Sequence, residues 1–192
     1  MSTTIPNFYA GHLLVANPNN PRDELSKSVS LLLSHSRRLA IGIQLNNSLT
    51  HMTLHEVAEN AGLDTSDPAS RLDAALYYGG VHSVHRVQVL HTPDWQGITT
   101  TVINKDIAIT SDISILQALS RGRGPSLFRA CAGYWKWEDG KLDDQLDNTN
   151  RDQSHRWEIA NANIGTVFEV EGDEQWRTSL MNAAHYTTAQ WL

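Results

Sequence analysis

Short apolar segments alternate with turn-forming residues along most of this sequence, and this pattern limits the folds that the chain can adopt. The first segment, His12–Ala16, is followed by a cluster of Asn and Pro residues that is typical of a turn. A membrane-spanning helix needs about 20 consecutive apolar residues, and no run approaches that length. The pattern therefore predicts a sheet of short strands joined by turns, with no membrane span.

The same pattern places the elements along the chain. Further strands are predicted at 28–34, 39–45, 74–78, 86–91, 127–137 and 163–170, with a hairpin formed by 99–103 and 107–110. Helices are predicted to begin at Thr53, where Glu56 completes a capping box, at Ser111 or Asp112, near Lys141, and at Asp173. Because many strands follow hairpin-like turns, we predict one α+β domain over residues 1–192, with a mostly antiparallel or mixed sheet.

Length and composition exclude several classes of protein. With 192 residues, of which 40% are hydrophobic, the chain can bury a core, and this excludes a fully disordered protein. Cys131 is the single cysteine, which excludes a disulfide framework and a cysteine-rich zinc site. Its apolar surroundings predict a buried thiol. The first residues have no basic and apolar signal pattern, so we expect a cytoplasmic protein.

Charge is concentrated in one part of the sequence. The formal net charge is −6, but the stretch from Glu138 to Glu174 alone carries −8 and the remaining residues sum to +2. Nucleic-acid binding depends on clustered Lys and Arg, so this distribution disfavours it. Three explanations stay open: the acidic stretch binds a basic partner protein, it imitates the charge of a nucleic acid, or it forms a solvated face that keeps the protein soluble.

No motif predicts a catalytic or metal site. Phosphate-binding loops, dinucleotide-binding glycine patterns and nucleophile elbows are all missing from the sequence. His51 and His55 have a metal-ligand spacing, but the capping box leaves His51 outside the helix. His82, His85 and His91 could share a metal only if their strand were bent. We therefore predict no catalytic residues, no metal and no cofactor.

Six tryptophans are the most unusual feature of the composition. Trp135 and Trp137 are two residues apart and so lie on the same side of a predicted strand. An aromatic platform for nucleic-acid bases needs positive charge beside it, but Glu138 and Asp139 follow directly. Core packing is therefore the favoured role for these rings.

Seven groups of short motifs follow one another along the chain. Their order and spacing match those of a known family. They are GHLLVANP at 11–18, LSKSV at 25–29, AIGIQLN at 40–46, TL at 53–54, YGG with VLH between 78 and 91, IT, IL and GP between 109 and 125, and GYWKWEDGKL at 133–142. In this order they resemble the motifs of the AlgH/YqgE family of bacterial proteins, over residues 11–184.

Some positions depart from the family pattern. Asn47 and Ser48 stand where the family has a basic residue and a proline, and Val81 stands where it has a proline. Trp135-Lys136 replaces an Ala-Gly pair, and Glu138 replaces a glycine. The chain therefore resembles a distant family member with a changed surface or partner.

The resemblance implies a barrel-like sheet with peripheral helices. It also implies a non-enzymatic protein of a family commonly labelled as transcriptional regulators, which would act through contacts with transcription or signalling proteins. The alternative is a small-molecule-binding protein or an undetected enzyme that uses the loops near Asn46, Gly79-Gly80 and His91. The candidate binding residues are Asn46, Gly79, Gly80, His91, Trp137, Asp143, Asp144 and Asp147.

Overall fold

The computed structural model describes residues 9–19, 24–146 and 156–189, with side chains as far as residue 185. Nine strands lie within the described residues: β1 His12–Ala16, β2 Val29–His35, β3 Leu39–Gln44, β4 Leu76–Tyr78, β5 His82–His91, β6 Thr101–Val102, β7 Ala108–Thr110, β8 Phe128–Glu138 and β9 Trp157–Asn161. The α-helices described are α1 Leu54–Asn60, α2 Ile113–Ser120, α3 Lys141–Leu146 and α4 Gly172–Ala189. None of the helices in these ranges is both long and apolar enough to cross a membrane.

The strands form one curled, antiparallel half-barrel in the order β6-β7-β5-β8-β3-β2-β1-β9. The long strand β8 lies at the centre of this order. It pairs with β5 along one edge, and along its other edge it pairs with β4 near its start and with β3 near its end. The β4–β8 pair is parallel. The predicted α+β fold, with a mostly antiparallel, barrel-like sheet and peripheral helices, is confirmed.

Apolar packing on both faces of the sheet explains why the strands are so apolar. Alternate strand residues point to opposite faces, and in β2 Leu31 packs into the inner core while Leu32 packs into an outer one. The inner core is closed by Val167 and by Ala183 of α4. The outer face is covered by α1 and α2 in one place and by Leu142 of α3 in another.

The strand predicted at 163–170 is wrong. The chain forms a π-helical turn there, Gly165–Glu169. The Asn163 side-chain oxygen accepts a hydrogen bond from the Thr166 backbone N–H at 3.0 Å, a local bond that favours a turn over a strand. The last strand of the sheet is instead β9, which pairs with β1.

The start of α4 also differs from the prediction. The helix begins at Gly172, so Asp173 lies in its first turn and is not its N-cap. There the Asp173 carboxylate pairs with the Lys27 ammonium at 2.7 Å. An acidic residue in the first turn still stabilises the helix, because it faces the positive end of the helix dipole.

Strand β5 begins earlier than predicted and contains a bulge. His82 pairs with Tyr134 of β8, but the next paired residue, Val87, lies opposite Ala132. Residues 83–86 therefore have no partner on β8 and bulge away from it. Ser83 has a φ of +53°, an uncommon value for a residue with a side chain.

Three glycines allow two backbones to cross where β4 ends. The Gly79 N–H donates to the Ala132 carbonyl of β8 at 2.7 Å. A Cβ on Gly80 would lie 2.2 Å from the carbonyl carbon of Tyr134, and one on Gly133 would lie 2.4 Å from the Gly80 oxygen. Only glycine fits at such distances, so the Gly79-Gly80 motif has a structural role at this crossing.

The predicted caps of α1 and α2 do form. Thr53 and Glu56 make the capping box of α1, and Asp112 is the N-cap of α2. The Asp112 carboxylate accepts hydrogen bonds from the Ser114 hydroxyl and from the backbone N–H groups of Ser114 and Thr99, the last two at 2.9 Å. These bonds, with the Ser114 hydroxyl contributing most, lower the pKa of Asp112 to about 2.

We expect Asp112→Asn to flatten the acid limb of the pH–stability profile. A carboxylate with a lowered pKa stabilises the fold above its unfolded value and loses this effect as the pH falls through its folded value, here about 2. Asn keeps the cap but does not titrate, whereas Asp112→Ala removes the cap and should cost about 1 kcal/mol at neutral pH. Urea unfolding between pH 2 and 7 measures both effects. Equal pH slopes in the wild type and in Asp112→Asn would contradict this assignment.

Candidate functional site

The fold places the two ends of the acidic stretch far apart. Glu138 pairs in the sheet with Leu39, at the start of β3. Gly172 is hydrogen-bonded to Asn46, just beyond the other end of β3. At the rise of a β-strand these two places lie about 20 Å apart. The stretch is therefore not one surface.

One group of acids surrounds the start of α3. It contains Glu138, Asp139, Asp143 and Asp144, all of them exposed. Glu138 pairs with Lys136, and Asp143 lies 3.2 Å from Nε2 of His35. Within the described part of the chain, the Asp144 carboxylate has no ion pair. Asp147, the remaining acidic residue predicted for this surface, lies outside the described residues.

His35 connects this group to the sheet. Its Nδ1 accepts a hydrogen bond from the Tyr9 backbone N–H at 3.2 Å, and the Tyr9 ring stacks on the imidazole. Because Nδ1 is the acceptor, a neutral imidazole carries its proton on Nε2 and can donate it to Asp143. The Asp143 carboxylate thus has an internal contact with His35, whereas the Asp144 carboxylate has no ion pair among the described residues.

Asn46 holds two elements together. Its side-chain oxygen accepts from the Val29 N–H at 3.0 Å, and its Nδ2 donates to the Lys27 and Gly172 carbonyls at 2.8 and 3.2 Å. These bonds join the start of β2 to the start of α4. The side chain that the sequence predicted as a binding group is therefore used within the protein.

His91 is fully buried and hydrogen-bonded. Its Nδ1 donates to the Thr92 carbonyl at 2.8 Å, and its Nε2 then accepts from the Thr110 hydroxyl at 2.9 Å. Burial lowers the pKa of His91. The imidazole is therefore a neutral core residue at neutral pH, with its proton on Nδ1.

Trp137 is a core residue, as the sequence favoured. Its ring packs edge-on against Trp157 with 6.1 Å between centroids, and it lies over Gly42, where a Cβ would be 3.2 Å from the ring. Glycine at position 42 therefore lets the ring approach the strand closely. Trp176 packs against the inner core instead, so the tryptophans do not form one wall.

Those of the predicted binding residues that the structure describes do not meet in one cavity. Asn46 and Gly79 lie on adjoining segments, since the Asn47 carbonyl accepts from the Tyr78 N–H. His91 lies at the far end of β5 from these glycines, and Asp144 lies on α3. Binding at these positions stays a prediction.

A cleft that the sequence did not reveal lies beside the β5 bulge. It has a volume of about 270 Å³ and is lined by Arg86, Val87, Gln88, Ser111 and Tyr134. Because three separate strands or loops supply its lining, no local motif could have predicted it. A second depression of about 280 Å³, at the start of α1, is more open, and one of its lining residues, Glu56, already serves the capping box.

Arg129 is a buried charge that the sequence analysis also missed. Its guanidinium donates to the Leu45 carbonyl at 2.6 Å and to the Val170 carbonyl at 2.9 Å, and it lies over the Tyr77 ring. Burial, together with a hydrogen bond to Glu171, raises the pKa of Tyr77 to about 12, so its hydroxyl stays protonated. The cluster ties β3, β8 and the segment before α4 together.

The remaining titratable groups show no metal-binding cluster in the described ranges, and the one thiol is buried. No three His, Cys, Asp or Glu side chains there lie close enough to hold a metal ion. Cys131 is fully buried, as predicted, and burial raises the pKa of its thiol to about 12. A protonated thiol without access to solvent is a poor nucleophile.

Comparisons with known proteins agree with this fold. A family model described as AlgH-like matches residues 13–186. A UPF0301 protein of Methylococcus capsulatus is 29% identical over 91% of this chain and 91% of its own length, and one of Sphingopyxis alaskensis is 28% identical over 94% and 91%. The solution structure of the AlgH protein from Pseudomonas aeruginosa has a TM-score of 0.75 at 24% identity, over 95% of this chain and 92% of that chain. A crystal structure of a Corynebacterium diphtheriae protein has a TM-score of 0.67 at 20% identity, over 92% and 86%.

Proposed function

The chain belongs to the AlgH-like family, and from that premise we propose that it is a non-enzymatic regulatory protein that acts in the cytoplasm by contacting other proteins. Its partners are transcription or signalling components with a basic surface. The loops near Asn46, Gly79-Gly80 and His91 do not carry this proposal, because their polar side chains are hydrogen-bonded within the protein or their backbones are packed at a crossing.

One observation supports the proposal most directly: the exposed acidic group at the start of α3. Asp139 and Asp144 are exposed there, and neither has an ion pair among the described residues. Carboxylates left free on a surface attract a basic partner and speed its association. Asp139 lies at the end of β8, so the central strand of the sheet holds this part of the group in place.

We expect Asp144→Lys to reduce capture of the partner protein several-fold, because it places a cation where a basic surface would dock. Affinity purification from the native host, with the wild type and the variant as baits, measures the loss. Glu174→Lys is the matched control: Glu174 is also an exposed acid in the first turn of a helix, and its replacement changes the net charge equally. Capture should weaken at high salt. Equal capture by Asp144→Lys and wild type would remove this surface from consideration.

A further inference from the structure

The cleft beside the β5 bulge lies where the inner face of the half-barrel ends. Tyr134, part of its lining, packs against the inner core, and Cys131 of that core pairs with the lining residue Gln88. Small-molecule sites are concave and carry a few convergent polar groups, as this cleft does. Bulges are likewise common beside binding sites, because they redirect side chains from the sheet.

One wall of the cleft is held rigidly. The backbone of Tyr134 is in contact with Gly80 at the glycine crossing, and the Tyr134 ring stacks on His82 with 5.7 Å between centroids. Both rings lie on paired strand residues, since His82 and Tyr134 are opposite each other in the sheet. A preorganised wall of this kind lowers the entropy cost of binding a ligand.

Arg86 supplies the charge of the cleft. It is exposed, and its guanidinium has neither an ion pair nor a hydrogen bond to any other described residue. By contrast, Arg71 donates to two backbone carbonyls, as Arg129 does. The nearest acid in sequence to the lining, Asp112, uses its carboxylate to cap α2 and to bind Thr99.

The other polar lining residues are neutral. Gln88, Ser111 and Tyr134 can each donate or accept hydrogen bonds, and none of the described residues that line the cleft is acidic. A single unpaired guanidinium among neutral donors is suited to a carboxylate or phosphate, which it can bind through two parallel hydrogen bonds. We propose that this cleft binds a small organic anion through Arg86. Its volume of about 270 Å³ fits a small metabolite and not a polymer.

Amide NMR of the whole chain tests the site with three probes: benzoate, succinate and inorganic phosphate. We expect saturable shift changes at residues 86–88, 111 and 134 with at least one probe. A response to benzoate or succinate assigns the anion as a carboxylate, and a response to phosphate alone assigns it as a phosphate. Arg86→Gln should weaken binding of that probe by about tenfold or more, the usual effect of losing a charged hydrogen-bond donor.

Arg38→Gln is the matched control, because Arg38 is also exposed but does not line the cleft. It should bind the probe as the wild type does. The proposal is overturned if no probe gives saturable shifts, if the shifts map to other residues, or if Arg86→Gln binds as well as Arg38→Gln. Partner capture by Arg86→Gln should match the wild type, which separates this site from the acidic surface at α3.

Discussion

Replacing Gly80 by alanine should lower the free energy of unfolding by about 3–5 kcal/mol, through overpacking of a filled site combined with an unfavourable backbone conformation. The added Cβ would lie 2.2 Å from the Tyr134 carbonyl carbon, and the φ of Gly80 is +152°. The added Cβ would meet backbone atoms of β8, so no side chain can rotate away to relieve the contact. Urea unfolding followed by circular dichroism measures the loss.

Gly62→Ala separates the two causes. Gly62 also has a positive φ, +76°, but a Cβ there would have nothing within 4 Å. Its replacement should therefore cost only the backbone term, about 1 kcal/mol. If both variants lost the same free energy of unfolding, the close approach of the Gly80 backbone to β8 would not be the reason for glycine at position 80.

Arg129→Ala should also destabilise the fold strongly, by about 3–5 kcal/mol, because it leaves buried polar groups without partners and opens a cavity. The carbonyls of Leu45 and Val170 would lose their donors, and the Tyr77 ring would lose the group that covers it. Arg129→Lys should fall between wild type and Ala, since one ammonium cannot reproduce the planar fork of donors. Thermal and urea unfolding of both variants measure these losses.

An exposed arginine provides the comparison for Arg129. Arg123 lies in the loop after α2 and is exposed. Its replacement by alanine should change the free energy of unfolding by no more than about 0.5 kcal/mol. A similarly small effect of Arg129→Ala would mean that water can replace the guanidinium at both carbonyls.

The features that the sequence predicted correctly depend on neighbouring residues. The capping box of Thr53 and Glu56 is complete within four residues, and the apolar run around Cys131 already indicates a buried thiol. Gly42 interrupts an otherwise apolar strand, a pattern that indicates a bulge or a close approach, and the Trp137 ring lies over it. Local chemistry was sufficient in each case.

The features that the sequence missed depend on residues that are distant along the chain. Arg129 binds carbonyls of Leu45 and Val170, which lie on opposite sides of it in sequence. The acidic stretch seemed to be one surface because its residues are consecutive, but α3 and α4 begin at opposite ends of β3. The segment that forms the π-helical turn has the apolar composition of a strand, and composition alone does not separate the two in so short a segment.

The position of β8 in the sequence determines when the two parts of the sheet can be joined during synthesis. Strands β1 to β3 and strands β5 to β7 are made first, but among the described strands only β8 is hydrogen-bonded to both sets. Until Glu138 has left the ribosome, β3 and β5 each present an unpaired edge, a surface that favours wrong pairing with other chains. Partial sheets formed from β1 to β3 and from β5 to β7 during synthesis can therefore be joined only once this strand is available.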